Sequence, residues 1–196
     1  MKVFLIRHAE SEENALDYKA KITRADFNAV LLRSSESPLT ERGEQQAREV
    51  ITRLESERIE RLYSSPMKRA LRTATVLGEA LDLEPIILED LREVLPAAVS
   101  ERGKPATLRR HFVRSYTKML WPFGSDETWA SAYRRTRHVF AQITTEPASE
   151  IAAVAHRGTI SVILFGLRRS RTWRIVRQDL TNGGVSIVAK RLGRVR

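Results

Sequence analysis

The chain begins with a short, almost unbroken run of apolar residues, from Val3 to Ile6, that is bounded by charged residues. Such a run predicts a strand buried on both faces, as in a parallel sheet covered by helices. Arg7 and His8 follow at the carboxyl end of this strand, where ligands bind in open α/β sheets. Ser11 is then placed to cap a helix whose first N–H groups would favour an anion. The run therefore predicts an α/β fold with a candidate anion site at one edge of the sheet.

Strands and helices alternate along the rest of the chain. Apolar runs predict further strands at 61–65, 85–88, 151–155 and 185–189. Apolar residues at helical spacing predict helices at 11–32, 40–54, 66–81 and 159–165. Thr40 is expected to cap the second of these helices, and Pro66 is tolerated at the first position of the third. This alternation predicts an α/β fold, specifically a three-layer α/β/α sandwich with a mostly parallel central sheet.

Residues 96–148 interrupt the alternation. They contain two amphipathic stretches, at about 108–120 and 127–144, whose aromatic residues lie at helical spacing. Two helices inserted between strands are expected to form a small cap over the edge of the sheet, with 121–124 ending the first helix. A basic aromatic helix is also compatible with a membrane surface, but such a stripe more often packs against other elements. We therefore expect a single domain over residues 1–196, with a helical cap insertion at about 96–148.

Positive charge is in excess, since 34 Lys and Arg residues face 24 Asp and Glu residues and give a net charge of +10. This balance favours an anionic partner, which could be a nucleic acid, a membrane surface or a phosphorylated substrate. No known nucleic-acid-binding pattern accompanies the arginine clusters, so we do not expect a specific nucleic-acid partner.

The sequence contains no cysteine, which excludes disulfides and thiolate metal sites. The first apolar run is too short for a signal peptide, and no run approaches the length of a membrane span. These features predict a cytoplasmic protein and leave its oligomeric state open.

Two predicted strands end in a histidine, His8 and His156, and a third leads into a helix with Arg69 in its first turn. A lone histidine such as His156 is more often structural, but its place at a strand end favours a role in a site. If the three strands are neighbours, both histidines converge with Arg7 and Arg69 on one rim. Two imidazoles and two guanidiniums at helix N-termini would form a pocket for a phosphoryl group. The other histidines, at 111 and 138, fall in the cap helices and are expected to face solvent or to pack.

Four motifs occur in order along the chain: Arg7-His8-Ala9-Glu10-Ser11 with Asn14, Leu39 to Ala47, Ser64 to Ala70 with Thr73-Ala74, and His156-Arg157-Gly158. Together they resemble the histidine phosphatase superfamily, also called the phosphoglycerate mutase-like family. A single motif of this kind is weak evidence, but four in order with sensible spacing are strong. The resemblance extends from Lys2 to Ala189 and leaves the cap insertion unmatched.

This resemblance implies that His8 is the nucleophile that becomes phosphohistidine. It also implies that Arg7, Arg69 and His156 hold the phosphate, with Asn14 as an added polar contact. The chemistry fits these roles, because an imidazole attacks phosphorus only when neutral and adjacent cations disfavour its protonated form. Fixed donors would meet the charge of the transferring group, so we expect neither a metal nor another cofactor.

The resemblance also implies a carboxylic acid that protonates the leaving oxygen and then activates water, and Glu93 is the candidate. It lies one short loop beyond a predicted strand, although Glu89, Asp90 and Glu101 are nearby alternatives. The family's usual Gly and Trp-Glu-Gly context is missing after this residue. Burial would raise the pKa of Glu93 and the arginines would lower it, and the sequence leaves the balance open.

Two positions depart from the family pattern. Ala9 stands where Gly is common, a change that several phosphatase branches share. Arg157 replaces a Gly or small residue after the second histidine, at the N-terminus of a predicted helix. We expect Arg157 either to bind a second anionic group of the substrate or to point to solvent.

The leading expectation is a metal-independent phosphatase that acts on a small phosphorylated substrate, with Trp121, Phe123 and Trp129 of the cap selecting it. Phosphoglycerate mutase-type transfer is the alternative enzyme, but the segment between Glu93 and His156 is shorter than in mutases. A protein phosphohistidine phosphatase is a third possibility. Those enzymes are usually smaller and lack both the cap and the acid, so the segment at 96–148 argues against it. A non-catalytic module that binds phosphorylated ligands or nucleic acid is the alternative of another class, and the presence of both histidines and both arginines weighs against it.

Overall fold

The computed structural model describes residues 1–120, 127–145 and 147–191. The described chain contains eight strands: β1 (Lys2–Arg7), β2 (Lys21–Ile22), β3 (Arg61–Ser64), β4 (Ile86–Ile87), β5 (Ala106–Thr107), β6 (Glu150–Ala155), β7 (Trp173–Arg177) and β8 (Val185–Lys190). It also contains six α-helices: α1 (Arg24–Arg33), α2 (Glu41–Leu54), α3 (Lys68–Leu81), α4 (Leu108–Lys118), α5 (Trp129–Thr145) and α6 (Arg157–Leu167). Short 3₁₀ helices cover Ser34–Glu36 and Glu89–Leu91. The predicted helix end at 121–124 lies outside the described residues.

Six strands form the central sheet, in the order β4-β3-β6-β1-β8-β7. The first four are parallel to one another, and β8 pairs antiparallel with β1. Strand β7, which the sequence analysis missed, extends the antiparallel edge beside β8. The predicted mostly parallel sheet is confirmed. Strands β2 and β5 pair separately in a small antiparallel sheet.

The central strand β1 explains why its sequence is apolar without alternation. Phe4 and Ile6 pack into a core with α2 and α3, whereas Val3 and Leu5 pack into a second core with α5 and α6. Successive side chains of a strand point to opposite faces, so a strand covered on both sides needs apolar residues at every position. Helices on both faces give the predicted three-layer α/β/α sandwich.

The first predicted helix is wrong over most of its length. Residues 12–20 form turns, and the helix begins only at Arg24, where Thr23 and Asp26 form a capping box. Ser11 caps no helix, because it bridges to Leu39 instead. The anion site therefore lacks the helix N-terminus that was expected to follow the first strand.

Two other helix starts differ from the prediction. Helix α3 begins at Lys68 with Met67 as its N-cap residue, so Pro66 precedes the helix. Helix α6 begins at Arg157, two residues earlier than predicted, with His156 as its N-cap. Thr40 caps α2 as predicted, since its side chain accepts a hydrogen bond from the Gly43 amide.

The two predicted cap helices have different surroundings. Helix α4 packs through Leu108 and Phe112 on Phe27 of α1. Helix α5 contributes Val139 and Ile143 to the core on one face of the central sheet. Helix α5 therefore belongs to a layer of the sandwich over this part of its length. The boundary of a cap insertion at about 96–148 stays a prediction. Within the described ranges, no helix is long and apolar enough to cross a membrane.

Candidate active site

The carboxyl ends of β1, β3 and β6 meet at one edge of the sheet. The His8 amide donates to the Ala155 carbonyl at 2.9 Å, and the Ser65 amide donates to the Val154 carbonyl at 3.0 Å. This pairing places His8 beside His156, with 5.0 Å between their ring centroids. Two histidines that are distant in the chain therefore share one site because their strands are adjacent and parallel.

The ring of His8 is buried and held in one orientation. Its Nδ1 lies 2.7 Å from the carbonyl oxygen of Ala9, which can only accept, so Nδ1 carries the proton. The Nε2 atom keeps its lone pair and accepts a hydrogen bond from Nε of Arg69 at 3.1 Å. Burial, and then the charges of Arg69 and Arg7, hold the pKa of His8 well below its ordinary value. The imidazole is therefore neutral, with a lone pair available at Nε2.

His156 is also buried, and its Nε2 lies 2.8 Å from the Ser65 hydroxyl. The Ser65 hydroxyl oxygen already accepts a hydrogen bond from the Met67 amide. Among the described residues, the acceptor for the hydroxyl proton is Nε2 of His156. The Ser65 proton then points to Nε2, which leaves the His156 proton on Nδ1. That Nδ1 is buried and has no partner within the described structure. Burial and neighbouring charges lower the pKa of His156 as well, so it offers one neutral N–H donor.

Two arginines border the histidines. Arg69, in the first turn of α3, is 2% exposed and also donates to the Ser34 carbonyl. Its Nη1 lies 3.6 Å from a carboxylate oxygen of Glu13. Arg7 donates from Nη1 to the Leu180 carbonyl at 2.9 Å, while its Nε is buried without a partner in the described chain. The site thus contains fixed positive charge with at least one unused N–H group, as an anion-binding site requires.

Glu93 lies in the loop after the 3₁₀ helix Glu89–Leu91. Its Oε1 accepts hydrogen bonds from the Val94 amide at 2.8 Å and from the Thr159 amide at 3.2 Å. Burial raises the pKa of Glu93 and outweighs these hydrogen bonds and the charges of Arg69 and Arg7. Of the two opposing effects that the sequence left open, burial is the larger, and it favours the protonated form of Glu93.

Glu93 lines the same cavity as His8 and Arg69, a space of about 840 Å³. The alternatives Glu89, Asp90 and Glu101 are not among the described residues that line it.

Asn14 and Arg157 lie at the border of this cavity. The Asn14 Oδ1 accepts from the side-chain amide of Asn182 at 2.8 Å, which fixes its orientation. Arg157 is exposed and close enough to Arg7 to lower the pKa of that guanidinium, after the larger effect of burial. Its position beside the pocket agrees with the expectation of a second anion contact, but does not test it. Trp129 also lines the cavity, whereas Trp121 and Phe123 lie outside the described residues.

Sequence reasoning missed three residues that orient the site. Ser65 orients His156, and Glu13 contacts Arg69. The Thr73 hydroxyl accepts from the Ala9 amide at 3.1 Å and donates to the Arg69 carbonyl at 2.8 Å. Ser65 and Thr73 belong to the motifs quoted above, and this was the one indication in the sequence that they contribute to the site. Their partners His156 and Ala9 are 91 and 64 residues away in sequence and could not be named from it.

Comparisons with known proteins identify the family of this chain. The model of the histidine phosphatase superfamily (branch 1) matches residues 3–195. A probable phosphoglycerate mutase GpmB of Photorhabdus laumondii subsp. laumondii is 36% identical over 103 residues, which cover 53% of this chain and 42% of that protein. This chain therefore spans less than half the length of that relative. Phosphoserine phosphatase 1 of Hydrogenobacter thermophilus is 28% identical over 185 residues, 88% of this chain and 80% of that protein.

Among solved structures, a mutant phosphoserine phosphatase from Entamoeba histolytica in complex with phosphoserine superposes with a TM-score of 0.65. It is 25% identical in sequence, and the match covers 95% of this chain and 89% of that one. The likeness therefore extends over nearly the whole chain.

Proposed function

The family model covers nearly the whole chain, so the chain belongs to the histidine phosphatase superfamily, and we propose that it is a metal-independent phosphatase that hydrolyses phosphomonoesters through a phosphohistidine on His8. The observation that carries this proposal is the state of the His8 ring. Its Nδ1 proton is directed to the Ala9 carbonyl, and its Nε2 lone pair faces the Arg69 guanidinium. A neutral imidazole held beside a fixed cation is prepared to attack an anion that the cation binds.

The groups around Nε2 are suited to hold the phosphoryl oxygens. Arg69 and Arg7 supply guanidinium N–H groups, and the His156 Nδ1–H supplies a neutral donor. In phosphoryl transfer the charge spreads over the three non-bridging oxygens, and fixed donors stabilise it without reorganisation. Asn14 borders the same space and would add a polar contact.

Glu93 would donate a proton in the first step and accept one in the second. In the first step, Nε2 of His8 attacks phosphorus, the bond to the leaving oxygen breaks, and that oxygen takes the Glu93 proton. In the second step, the Glu93 carboxylate takes a proton from water as the water oxygen attacks phosphorus. The phosphorus–nitrogen bond then breaks, inorganic phosphate leaves, and Nε2 regains its lone pair. The raised pKa of Glu93 supports its role as the acid.

We propose a small phosphorylated compound as the substrate. The Entamoeba histolytica neighbour binds phosphoserine, which carries a carboxylate besides its phosphate. Arg157 stands exposed beside Arg7 at the edge of the cavity and would contact such a second anionic group. A cytoplasmic location and the lack of a specific nucleic-acid partner stay predictions.

The proposed hydrolysis has two alternatives, a mutase-type enzyme and a non-catalytic binding module. A phosphoglycerate mutase-type enzyme would return the phosphoryl group to a second hydroxyl instead of to water. Hydrolysis is favoured because the match to Phosphoserine phosphatase 1 extends over 80% of that protein, whereas the match to the mutase relative covers 42%. A non-catalytic binding module for phosphorylated ligands or nucleic acid would keep its affinity without His8 and, for nucleic acid, would show a steep salt dependence.

The test is the hydrolysis of p-nitrophenyl phosphate in the presence of EDTA by the wild type, His8→Ala and His138→Ala. His138 is an exposed histidine on α5 and serves as the matched control. We expect His8→Ala to lose activity on the order of 10³-fold or more, and His138→Ala to keep it. An acid-labile phosphoenzyme should form in the wild type and in His138→Ala, and should be absent from His8→Ala.

Three results would contradict the proposal in different ways. Equal rates for the wild type and His8→Ala would exclude His8 as the nucleophile. Loss of wild-type activity in EDTA would exclude metal independence. No release of phosphate from any aryl or alkyl phosphate, together with retained phosphate binding by His8→Ala, would favour the binding module.

A further inference from the structure

Helix α6 presents a large aromatic side chain to the cavity without burying it. Phe165 is 65% exposed, yet it lines the same space as His8 and Glu93. Arg157, Ser161 and Arg168 also line this space, and their spacing from Phe165 places all four on one face of the helix. A phenyl ring left in water at the wall of a functional cavity is unexplained by core packing.

A second wall of the cavity is a stack of aromatic rings. Tyr18 stacks on Phe112 with 5.7 Å between centroids, Phe112 on Tyr116 with 6.3 Å, and Tyr116 on Trp129 with 6.0 Å. In each pair the planes differ by 25°. The four rings come from the turns before β2, from α4 and from α5, so the tertiary fold assembles this wall.

Both walls border one continuous space. Val162 of α6 packs against the same buried cluster as Tyr116 and Trp129, and Phe165 follows Val162 by three residues. The Tyr18 and Tyr116 side chains are close enough to the site for charged groups there to act on them. Glu13 raises the pKa of the Tyr18 phenol, and Glu93 raises that of Tyr116, each after the larger effect of burial. The aromatic stack therefore lies beside the charged groups, and both line the same cavity.

We propose that Phe165 and the aromatic stack form a binding slot for a planar ring, so that the preferred substrate is a phosphomonoester of an alcohol that carries an aromatic group. This inference rests on the proposed phosphatase function, because the phosphate of the same molecule would lie between His8, Arg7 and Arg69. The cavity volume of about 840 Å³ accommodates such a leaving group. Stacked and edge-to-face contacts with Phe165 and the aromatic wall would supply the selectivity.

The test compares two alkyl esters with similar alkoxide leaving groups, 2-(2-naphthyl)ethyl phosphate and butyl phosphate. Because the leaving groups have similar basicity, a difference in kcat/KM reports binding of the ring and not the ease of bond cleavage. We expect kcat/KM to be about tenfold higher for the naphthyl ester, mainly through KM. Phe165→Ala should lower the ratio of the two kcat/KM values about fivefold. Val113→Ala, at a 56% exposed position of α4 that is not among the cavity-lining residues, should leave the ratio unchanged.

A binding measurement separates failure of the slot from failure of the proposed function. The corresponding phosphonates, which cannot be hydrolysed, are titrated calorimetrically into the wild type. Tighter binding of the naphthyl phosphonate without hydrolysis of either ester would overturn the phosphatase proposal and support the slot. Hydrolysis of both esters at equal kcat/KM, with equal phosphonate affinities, would overturn the slot and leave the phosphatase standing. Equal losses for both esters in Phe165→Ala would assign that residue a structural role and also overturn the slot.

Discussion

A Cβ atom added to Gly158 would lie 2.5 Å from Oε1 of Glu93, well inside van der Waals contact. The same oxygen accepts a hydrogen bond from the Thr159 amide, one residue further along α6. The first turn of this helix therefore holds the proposed acid closely, and it can do so because residue 158 has no side chain. The helix that begins at one proposed phosphate ligand, His156, thus also positions the carboxyl group.

Gly158→Ala is expected to displace Glu93 and to lower kcat/KM for alkyl phosphates about tenfold or more, because a positioned acid supplies about 10²–10⁴-fold. The loss should be smaller for p-nitrophenyl phosphate, whose leaving group needs little protonation. The measurement is kcat/KM for both substrates. Gly166→Ala is the matched control in the same helix, since the three atoms nearest its added Cβ belong to Tyr133, at 3.2 Å or more, and not to Glu93. Equal losses for the two substrates would contradict a role for Gly158 in placing the acid.

The pH dependence should reveal two groups with opposite requirements. The first step needs neutral His8, whose pKa is lowered by burial and Arg69, and protonated Glu93, whose pKa is raised by burial. Activity should therefore fall as pH drops through the lowered pKa of His8, and fall again as pH rises through the raised pKa of Glu93. We expect kcat/KM for an alkyl phosphate to show a maximum between these two values.

The variant Glu93→Gln isolates the alkaline limb of that profile. With an alkyl phosphate, whose leaving oxygen needs the proton of the acid, kcat/KM reports formation of the phosphoenzyme. The ratio of wild type to variant removes the titration of the substrate itself, which has a pKa of about 6. The ratio should decrease as pH rises through the pKa of Glu93. A ratio that does not change with pH would show that Glu93 is not the acid.

Ser65→Ala should impair the site through the tautomer of His156. Without the hydroxyl that donates to Nε2, the ring is free to carry its proton there, and the Nδ1 donor to the phosphoryl group is lost. We expect kcat/KM to fall about tenfold, the effect of one hydrogen bond. Nitrogen chemical shifts of the His156 ring should show the change of tautomer. Ser64→Ala, which removes a hydroxyl that donates to the Ser65 carbonyl, should leave the tautomer as it is. An unchanged tautomer in Ser65→Ala would contradict this assignment.

Arg157→Ala should reduce selectivity for substrates that carry a second anionic group. We expect kcat/KM for phosphoserine, relative to p-nitrophenyl phosphate, to fall about fivefold, as for an exposed ion pair worth about 1 kcal/mol. The effect should weaken at high salt because the side chain is exposed. Arg169→Ala, at an exposed position that is not among the residues lining this cavity, is the control. If KM stays the same for every phosphorylated substrate tested, Arg157 does not bind a second anion.

Prediction from sequence succeeded for those elements whose determining residues lie next to one another in the chain. Val3 to Ile6 is apolar at each position, which already requires cover on both faces of the sheet. Thr40 lies three residues before the amide that it caps, so the start of α2 could be predicted from the local sequence. The prediction failed for 11–32, where the capping box formed by Thr23 and Asp26 sets a later start.

By itself, the sequence determined the fold class and the residues that stand at strand ends, because both depend on short-range patterns of burial and polarity. Only the tertiary structure decided which of the candidate acids lines the cavity and in which direction its pKa shifts. Glu93 bonds to an amide 66 residues away, and burial by distant elements raises its pKa. The tautomer of His156 depends in the same way on Ser65, 91 residues earlier. Such contacts join separate strands and helices, so their geometry exists only once the sheet has formed.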